Sequence, residues 1–445
     1  MAGKIKAIRG MRDILPPETG RWQAVENAAR EVFRVYGYRE IRLPLIERTE
    51  LFARSIGADT DIVSKEMYTF PDRHGDSLTL RPEATAAVLR AVLENGLDKA
   101  AGVKKLYTLG PMFRYERPQK GRYRQFHQIN CEALGSDAPE LDAEVILMLT
   151  DILQKVQLGA SRLLVNSLGC PECQAKFKAA LGLFLMSREG LCEDCRRRRV
   201  TNPLRVLDCK SVHCKEILKD APLLRDYLDP ECAGHFARVL ELLNRFGVTY
   251  EEQPRLVRGL DYYTRTAFEV VAVGLGAQDA VAGGGRYNGL AQELGGPELP
   301  AIGFAIGEDR LLEVLSKELG QDDWLVFLAA MGSEARNKAF EFMQEFRKVG
   351  LPAVMDFENR SLKAQMSLAD RLGASFTVIL GEREISQGEA TIRRMADFVI
   401  KDEDKIIIGE IKSRRMSEQQ ESIPFEELVN YLLDRVLNKE KNQSV

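Results

Sequence analysis

The run Met112 to Gly135, MFRYERPQKGRYRQFHQINCEALG, decides how most of this chain is read. Two strand-like arms flank a basic tip, Arg117 to Arg124, that carries Pro118 and Gly121. The pattern predicts a β-hairpin with a long loop. In the second arm Phe126, Gln128, Asn130 and Glu132 fall on one face of a strand, while Ile129, Cys131 and Ala133 fall on the other. The apolar set is suited to a core, so the polar set must face something else. With Arg114 at the end of the first arm, that face offers an aromatic plate, an amide, a carboxylate and a guanidinium. Such a set suits a flat base, a phosphate and a small polar ligand. A half-solvated amphipathic hairpin is the plain alternative.

Upstream, Trp22, Val25, Ala29, Val32 and Phe33 stand at helical spacing. Ile41 to Glu47 reads as extended and Leu51 to Ile56 as helical. SLTLRPEATAAVLRAVL (Ser77 to Leu93) switches from strand to helix at Pro82, with Glu83 and Thr85 at the junction. Side chains at a strand end commonly meet a ligand, although a first-turn acid also suits an ordinary helix start. Downstream, Glu140 to Gln157 is an amphipathic helix with Ile146, Leu149, Ile152 and Leu153 on one side. Leu256 to Ala272 returns to strand-like sequence. In the glycine-rich stretch that follows, Gly283 to Gly285 fit neither a Walker loop nor a dinucleotide fingerprint. Those glycines are expected where backbone and another group approach closely. A helix then buries Leu311, Val314 and Leu315, leaving Arg310 near its start beside Glu308 and Asp309, where phosphate could be held.

The bulk figures bound these expectations. A chain of 445 residues exceeds one core and implies roughly two to four domains. With 45% hydrophobic and 29% charged residues the composition is that of an ordinary soluble protein. The longest apolar run, Trp324 to Met331, is far short of a membrane span, and MAGKIKAIRG has no apolar signal core. A cytoplasmic location without membrane attachment is therefore expected. Net charge is only −3, so any nucleic-acid contact must rest on local patches such as the hairpin tip or Arg196 to Arg199. Such arginine runs are also common on solvated helices.

All the cysteines except Cys131 fall between Cys170 and Cys232. In a chain of this kind they should be reduced. CPEC (Cys170, Cys173) and CEDC (Cys192, Cys195) are separated by residues 174–191, a spacing within the range for a four-thiolate zinc site. The four would converge on one structural ion, with Cys209, His213 and Cys214 as substitute ligands. Reduced thiols packing as small hydrophobes is the other reading. From about Gln321 the sequence becomes regular α/β. A buried strand (Trp324 to Gly332), a helix capped by Ser333 with Phe342, Phe346 and Val349 inward, a strand (Ala353 to Phe357), a helix (Ser361 to Leu372) and a strand (Ser375 to Leu380) imply a mostly parallel sheet. A last helix is expected from about Pro424 to Leu437.

Taken together, these motifs resemble one family. MFRYERPQKGRYRQFHQ is similar to motif 2 of the class II aminoacyl-tRNA synthetases, and GFAIGEDRL (Gly303 to Leu311) to motif 3. RGLDYYTRTAFEV (Arg258 to Val270) resembles the signature of histidyl-tRNA synthetases, as do RGMRDILP, LRPEAT and NPLRVLDCK. The resemblance runs to about Met395. It implies an α/β multidomain fold: an antiparallel class II catalytic sheet with helices over 1–165 and 251–320, a helical, cysteine-bearing insertion over 166–250, and an α/β anticodon-binding domain over 321–445. It implies a homodimer that takes ATP with Mg2+, L-histidine and tRNA(His), bound by acceptor stem and anticodon. By matching position, Glu83, Ala84, Thr85 and Gln128 would hold histidine's ammonium end. Glu132 and Tyr263 would read the imidazole, with Tyr262 lining the same pocket. Arg114 would grip the α-phosphate, and Arg258 the α-phosphate and the carboxylate. Phe126 and Arg310 would sandwich adenine, and Arg122 would reach the terminal phosphates.

Two departures stand out. GEDR at Gly307 to Arg310 is more acidic before its arginine than is usual in the family, and Ala396 to Ser422 is longer and more charged than expected of the last strands. An inactive paralogue that regulates ATP phosphoribosyltransferase shares the catalytic fold, but it lacks the anticodon-binding domain and degrades the signature around Arg258. Both are present here in sequence. A zinc-knuckle nucleic-acid-binding protein would explain the cysteines and leave Glu83, Arg114, Glu132, Arg258 and Arg310 without a purpose.

Overall fold

The computed structural model describes residues 5–16, 18–57, 60, 62–118, 121–209, 211–258, 260–275, 279–316, 319, 324–395 and 420–443, with side chains as far as 435. Lys120 of the hairpin tip, Gly259 of the signature and 396–419 lie outside the described residues. Chain contacts divide the protein into two compact units, Met1–Gln321 and Asp322–Val445.

The first unit carries β1 (Arg39–Glu40), β2 (Ile46–Arg48), β3 (Tyr68–Pro71), β4 (Ser77–Leu80), β5 (Lys104–Phe113) and β6 (Gln125–Leu134). Further along come β7 (Ser161–Ser167), β8 (Glu251–Glu252), β9 (Thr264–Ala272), β10 (Ala280–Arg286) and β11 (Ala301–Gly307). Eight of these form one sheet in the order β1-β5-β6-β11-β10-β9-β7-β8, while β2, β4 and β3 make a small separate sheet. The large sheet is antiparallel throughout its middle, and only the short edge strands β1 and β8 pair in parallel.

The alternation in the quoted stretch fixes how this sheet is covered. Ile129, Cys131 and Ala133 on β6 are fully buried, in one core with Trp22, Val25, Ala29, Val32 and Phe33 of helix Glu18–Val35. Helix Pro139–Lys155 adds Ile146, Leu149, Ile152 and Leu153 to the same core, and Gln157 in the left-handed region turns the chain away after it. Burying each such Leu or Ile stabilises the fold by roughly 1.5–3 kcal/mol. These two helices, with Val239 and Leu243 of helix Pro230–Arg245 and Leu311 and Leu312 of helix Glu308–Val314, seal one face of the sheet and leave the other to the polar side chains of β6.

Several boundaries differ from the sequence expectation, each for a local reason. Of Ile41 to Glu47 only the end joins a strand, since Pro44 has no amide to offer a ladder. The helix expected at Pro82 begins at Thr85, because the Glu83 carboxylate accepts the amides of Thr85 (2.7 Å) and Ala86 (2.9 Å) and so stands outside the helix as its cap. Strand β9 begins at Thr264, so 256–258 and 260–263 are loop. Between β7 and β8 lies a helical segment whose Phe177, Leu181, Leu185, Cys195 and Val206 share one core with Val88 and Leu89 of helix Thr85–Glu94 and with Tyr262, Tyr263 and Tyr287.

In the second unit β12 (Val326–Ala330), β13 (Ala353–Met355), β14 (Phe376–Leu380), β15 (Glu389–Arg394) and β16 (Gln420–Pro424) stand in the order β13-β12-β14-β15-β16. The first three pair in parallel and the last two antiparallel. Helix Ser333–Lys348 buries Phe342 and Phe346, but Val349, expected to point inward, lies past its end and is exposed. Gly332 at positive φ, rather than Ser333, stands at the helix cap. The last helix starts at Leu428, since Pro424 closes β16. Among the described residues, no helix is long and apolar enough to cross a membrane.

One buried ion pair ties the sheet to its helical cover. Arg286 on β10 and Asp142 on helix Pro139–Lys155 are both fully buried; the guanidinium binds the carboxylate and also donates to the Ser136 carbonyl (2.8 Å). Asp142→Ala strands the guanidinium without its counter-charge and should lower the unfolding free energy by about 3–5 kcal/mol. The check is the shift of the denaturant midpoint, and a change under about 1 kcal/mol would refute the pair's structural role.

Candidate active site

The uncovered face of β6 opens into a cleft lined by Glu83, Thr85, Arg114, Arg122, Phe126, Gln128, Glu132, Arg258, Tyr262, Tyr263 and Arg310. Residues far apart in sequence thus meet at one place. Ala84 does not line it; it is fully buried at the start of helix Thr85–Glu94.

At the closed end Glu132 is 2% exposed and Glu83 4%. Thr85 Oγ1 donates to Glu132 Oε1 (2.7 Å) and the Tyr287 hydroxyl donates to Oε2. Gly303 on the neighbouring strand faces Glu132, and any Cβ there would collide with its carboxylate. Burial pushes the Glu132 carboxyl up to about 8, against the pull of the Tyr287 and Thr85 hydroxyls. Glu83 is also raised by burial, although the amides of Ala86 and Thr85 and the charge of Arg114 oppose it. Tyr262 and Tyr263 close this end, with ring centroids 4.7 Å apart, and Tyr287 stands edge-on to Tyr262 at 5.6 Å.

The open end is cationic. Arg114 Nε donates to the Pro82 carbonyl (2.9 Å) and its guanidinium lies 5.3 Å from the Phe126 ring centroid. Arg122 is held by Glu116 (2.8 Å). Arg310 donates to the carbonyls of Ala280 (2.9 Å) and Gly121 (3.3 Å), tying the hairpin tip to β10. Burial lowers the Arg310 pKa, and repulsion from Arg122 and Arg114 lowers it further. The cluster is therefore electrostatically unfavourable by itself, and an anion would relieve it. Arg258 lies across Gly283, where a Cβ would overlap its guanidinium, and pairs with Glu269. Burial works against the Arg258 charge, yet Glu269 and the tyrosines outweigh it and hold the group above its ordinary value. Gly283 and Gly303 do admit close approach, and what approaches is the site's own Arg258 and Glu132, whereas Gly284 lies against the backbone of β11 and the Phe268 ring.

Among the described residues, the polar atoms that lie along this cleft buried without a hydrogen-bond partner include Gln128 Oε1, Asn130 Nδ2 and Arg258 Nε. Buried polar groups are rarely left so, and a polar ligand would satisfy them. Asn130 had no assignable part in the sequence, although it shares the face of Phe126 and Gln128. Glu269 and Tyr287 were missed altogether. Alternation along β9 could have pointed to Glu269; no local pattern marks Tyr287. Asp309, beside Arg310, accepts the backbone amide of His127 (2.7 Å).

The cysteine reading needs correction. Cys170 and Cys173 do not share a centre with Cys192 and Cys195. The first pair groups with Asp229 and Cys232, and the second with Cys209 and Cys214, the ligand atoms within each group lying no more than 4.8 Å apart. Helix Pro171–Met186 follows directly after Cys170 and carries the chain away from the first pair before the second is reached.

Residues 10–311 match the protein family described as histidyl-tRNA synthetase. The chain belongs to that family. Residues 325–435 match an anticodon binding domain. A histidine–tRNA ligase from Desulfatibacillum aliphaticivorans is 53% identical over 396 residues, 88% of this chain and 94% of that protein. One from Halothermothrix orenii is 50% identical with the same coverage. Among solved structures, apo histidyl-tRNA synthetase from S. aureus is 36% identical with a TM-score of 0.76, covering 96% of this chain and 99% of that one. A Bacillus halodurans chain described as an ATP phosphoribosyltransferase regulatory subunit/histidyl-tRNA synthetase shares the fold at 19% identity and a TM-score of 0.63, covering 85% of this chain and 98% of that one. Family membership and the anticodon-binding match give no support to the inactive paralogue.

The raised Glu132 carboxyl has a stability consequence. While protonated it favours the folded chain, and that contribution is lost as pH rises through about 8. Glu132→Gln keeps the neutral shape and should raise Tm at about pH 8.5 by at least 2–4 °C or so, with little change near pH 5. Thermal melts at both values decide it; an equal shift at both would contradict the burial of a titrating group.

Proposed function

We propose that this chain is a histidine–tRNA ligase that first joins L-histidine to ATP as histidyl-adenylate and then passes histidine to the 3′ end of tRNA(His), releasing AMP and pyrophosphate. The observation that supports it best is the meeting of the Arg258–Tyr263 signature with Arg114, Arg310 and the buried Glu132 in one cleft. Histidine enters with its imidazole toward Glu132 and Tyr263, beside Tyr262. Its ammonium lies among Glu83, Thr85 and Gln128; Thr85 Oγ1 already donates to Glu132, which leaves its lone pairs for the ammonium. Selectivity follows from the buried carboxylate, which is left unsatisfied when an apolar side chain enters.

ATP lies along the cationic end with adenine on Phe126 and under Arg310, and with its terminal phosphates toward Arg122. The histidine carboxylate attacks the α-phosphorus, so no general base is required at this step. Negative charge gathers on the phosphate oxygens, where Arg114 and Arg258, fixed beforehand by Pro82 and Glu269, stabilise it without rearranging. Magnesium arriving with ATP would supply further positive charge for the departing pyrophosphate, on the side where Arg122 stands. In this reading 1–165 and 251–320 form the catalytic domain, 166–250 an insertion and 321–445 the anticodon-binding domain. The tip around Arg117, Arg122 and Arg124 meets the acceptor stem, and the enzyme works as a cytoplasmic homodimer.

The deciding measurement is exchange of labelled pyrophosphate into ATP. Exchange should require histidine and fall by roughly 10²–10³-fold in Arg258→Ala. Exchange that other amino acids support equally well would refute the assignment.

A further inference from the structure

We infer that the segment between β7 and β8 binds two separate structural metal ions of the zinc class, one at Cys192, Cys195, Cys209 and Cys214 and one at Cys170, Cys173, Asp229 and Cys232. The two ions fasten opposite ends of the loop that delivers Arg258 and Tyr263 to the cleft.

The donor geometry carries the count. A tetrahedral ion with zinc–sulfur bonds of about 2.3 Å sets its sulfurs roughly 3.8 Å apart. Cys192 and Cys209 Sγ are 3.8 Å apart and Cys170 and Cys173 Sγ 3.6 Å apart, and each complete set lies within 4.8 Å. Thiols packed only as small hydrophobes have no reason to gather at this spacing four together, or three around a carboxylate. In the first set Cys192 caps helix Glu193–Thr201, Cys195 lies in its first turn, Cys209 follows the turn Pro203–Val206, and Cys214 lies in helix Val212–Ile217. The Cys192 amide donates to Cys214 Sγ (3.3 Å), the kind of bond that stabilises a thiolate.

The second set is built the same way around two other helix starts. Cys170 caps helix Pro171–Met186, which carries Cys173, and Cys232 lies in the first turn of helix Pro230–Arg245. Asp229 divides its two oxygens. Oδ1 accepts the Cys232 amide (2.7 Å), while Oδ2 lies 3.2 Å from Cys170 Sγ and 3.1 Å from Cys173 Sγ. The Asp229 amide donates to Cys173 Sγ (3.2 Å). Soft thiolates in four-donor sets leave no open position, which suits a closed structural site rather than a catalytic one. Binding releases the thiol protons to solvent, so affinity rises with pH.

Both sets are wired to residues 258–265. From the first, Arg205 donates to the Arg258 carbonyl (3.5 Å), Asn202 to the Asp261 carboxylate (3.0 Å), and Cys209 itself lines the cleft. From the second, the Leu168 amide donates to the Arg265 carbonyl (2.6 Å), the Arg265 amide to the Gly169 carbonyl (2.8 Å), Gln174 to the Tyr263 carbonyl (2.9 Å), and Arg265 pairs with Glu231. This loop belongs to no strand until Thr264, and Arg265 itself is held at φ 45°. Its geometry therefore depends on the two anchored walls beside it. The metal count stands independently of the catalytic reading; only the kinetic effect rests on it.

Native mass spectrometry and elemental analysis of the full chain, purified reduced with zinc supplied, should find two zinc ions per chain. Cys214→Ser and Cys232→Ser should each retain one, and the double variant none. Cobalt substitution should give thiolate-to-cobalt charge-transfer bands in each single variant, with different spectra for the four-sulfur and three-sulfur sets. With one ion retained, Cys232→Ser should raise KM for histidine in pyrophosphate exchange by roughly tenfold. A wild-type chain that holds one zinc ion, lost from both variants, or a folded wild-type chain without zinc, would overturn the two-site assignment, and the wild-type count decides it even if a variant fails to fold. Two ions with unchanged KM in Cys232→Ser would overturn the link to the loop, whereas two ions without histidine-dependent exchange would sink the functional reading and leave the metal sites standing.

Discussion

A carboxylate held in the middle of a sheet is the constraint on which the rest of this site depends. Glu132 is buried on β6 and cannot find water, so neighbouring elements must supply its partners. The helix that begins at Thr85 supplies one hydroxyl and the residue after β10, Tyr287, supplies the other. Strand β11 must present glycine opposite, because a side chain there would occupy the carboxylate's space. Four separate parts of the chain are thus fixed relative to one another by one acid. The cost is a charge that burial disfavours, which is a price accepted at sites that must recognise a polar ligand.

The cationic end follows a complementary rule. Arg114, Arg122 and Arg310 crowd one region, and only partial compensation comes from Glu116 and Glu269. Each guanidinium is oriented in advance by a carbonyl or a carboxylate, so the positive field exists before any ligand arrives. Pre-oriented charge is what stabilises developing negative charge most effectively, since nothing has to reorganise at the moment of reaction. The glycines at 283 and 303 serve both ends by letting long polar side chains lie flat on the sheet.

Much of this was legible in residue order. The period-two alternation of β6 separated core from cleft, and the helical spacing of Trp22 to Phe33 named the buried face correctly. Local pattern failed where a side chain took over a backbone duty. Glu83 caps the helix that Pro82 was expected to start, and 256–258 and 260–263 have strand-like composition without a strand's partners. It failed again for the cysteines, whose spacing fits one centre while a helix starting at Pro171 assigns them to two. Glu269 and Tyr287 escaped notice because their importance lies wholly in what they touch.

By itself, then, the sequence determined which face of an element is apolar and which polar residues share the other, since both depend on composition and on the short periods of strand and helix. Only the tertiary structure decided which of those residues meet. Pairing between β6, β11, β10 and β9, and the division of the thiols between two groups, join segments distant in the chain, and no local period encodes a contact of that kind.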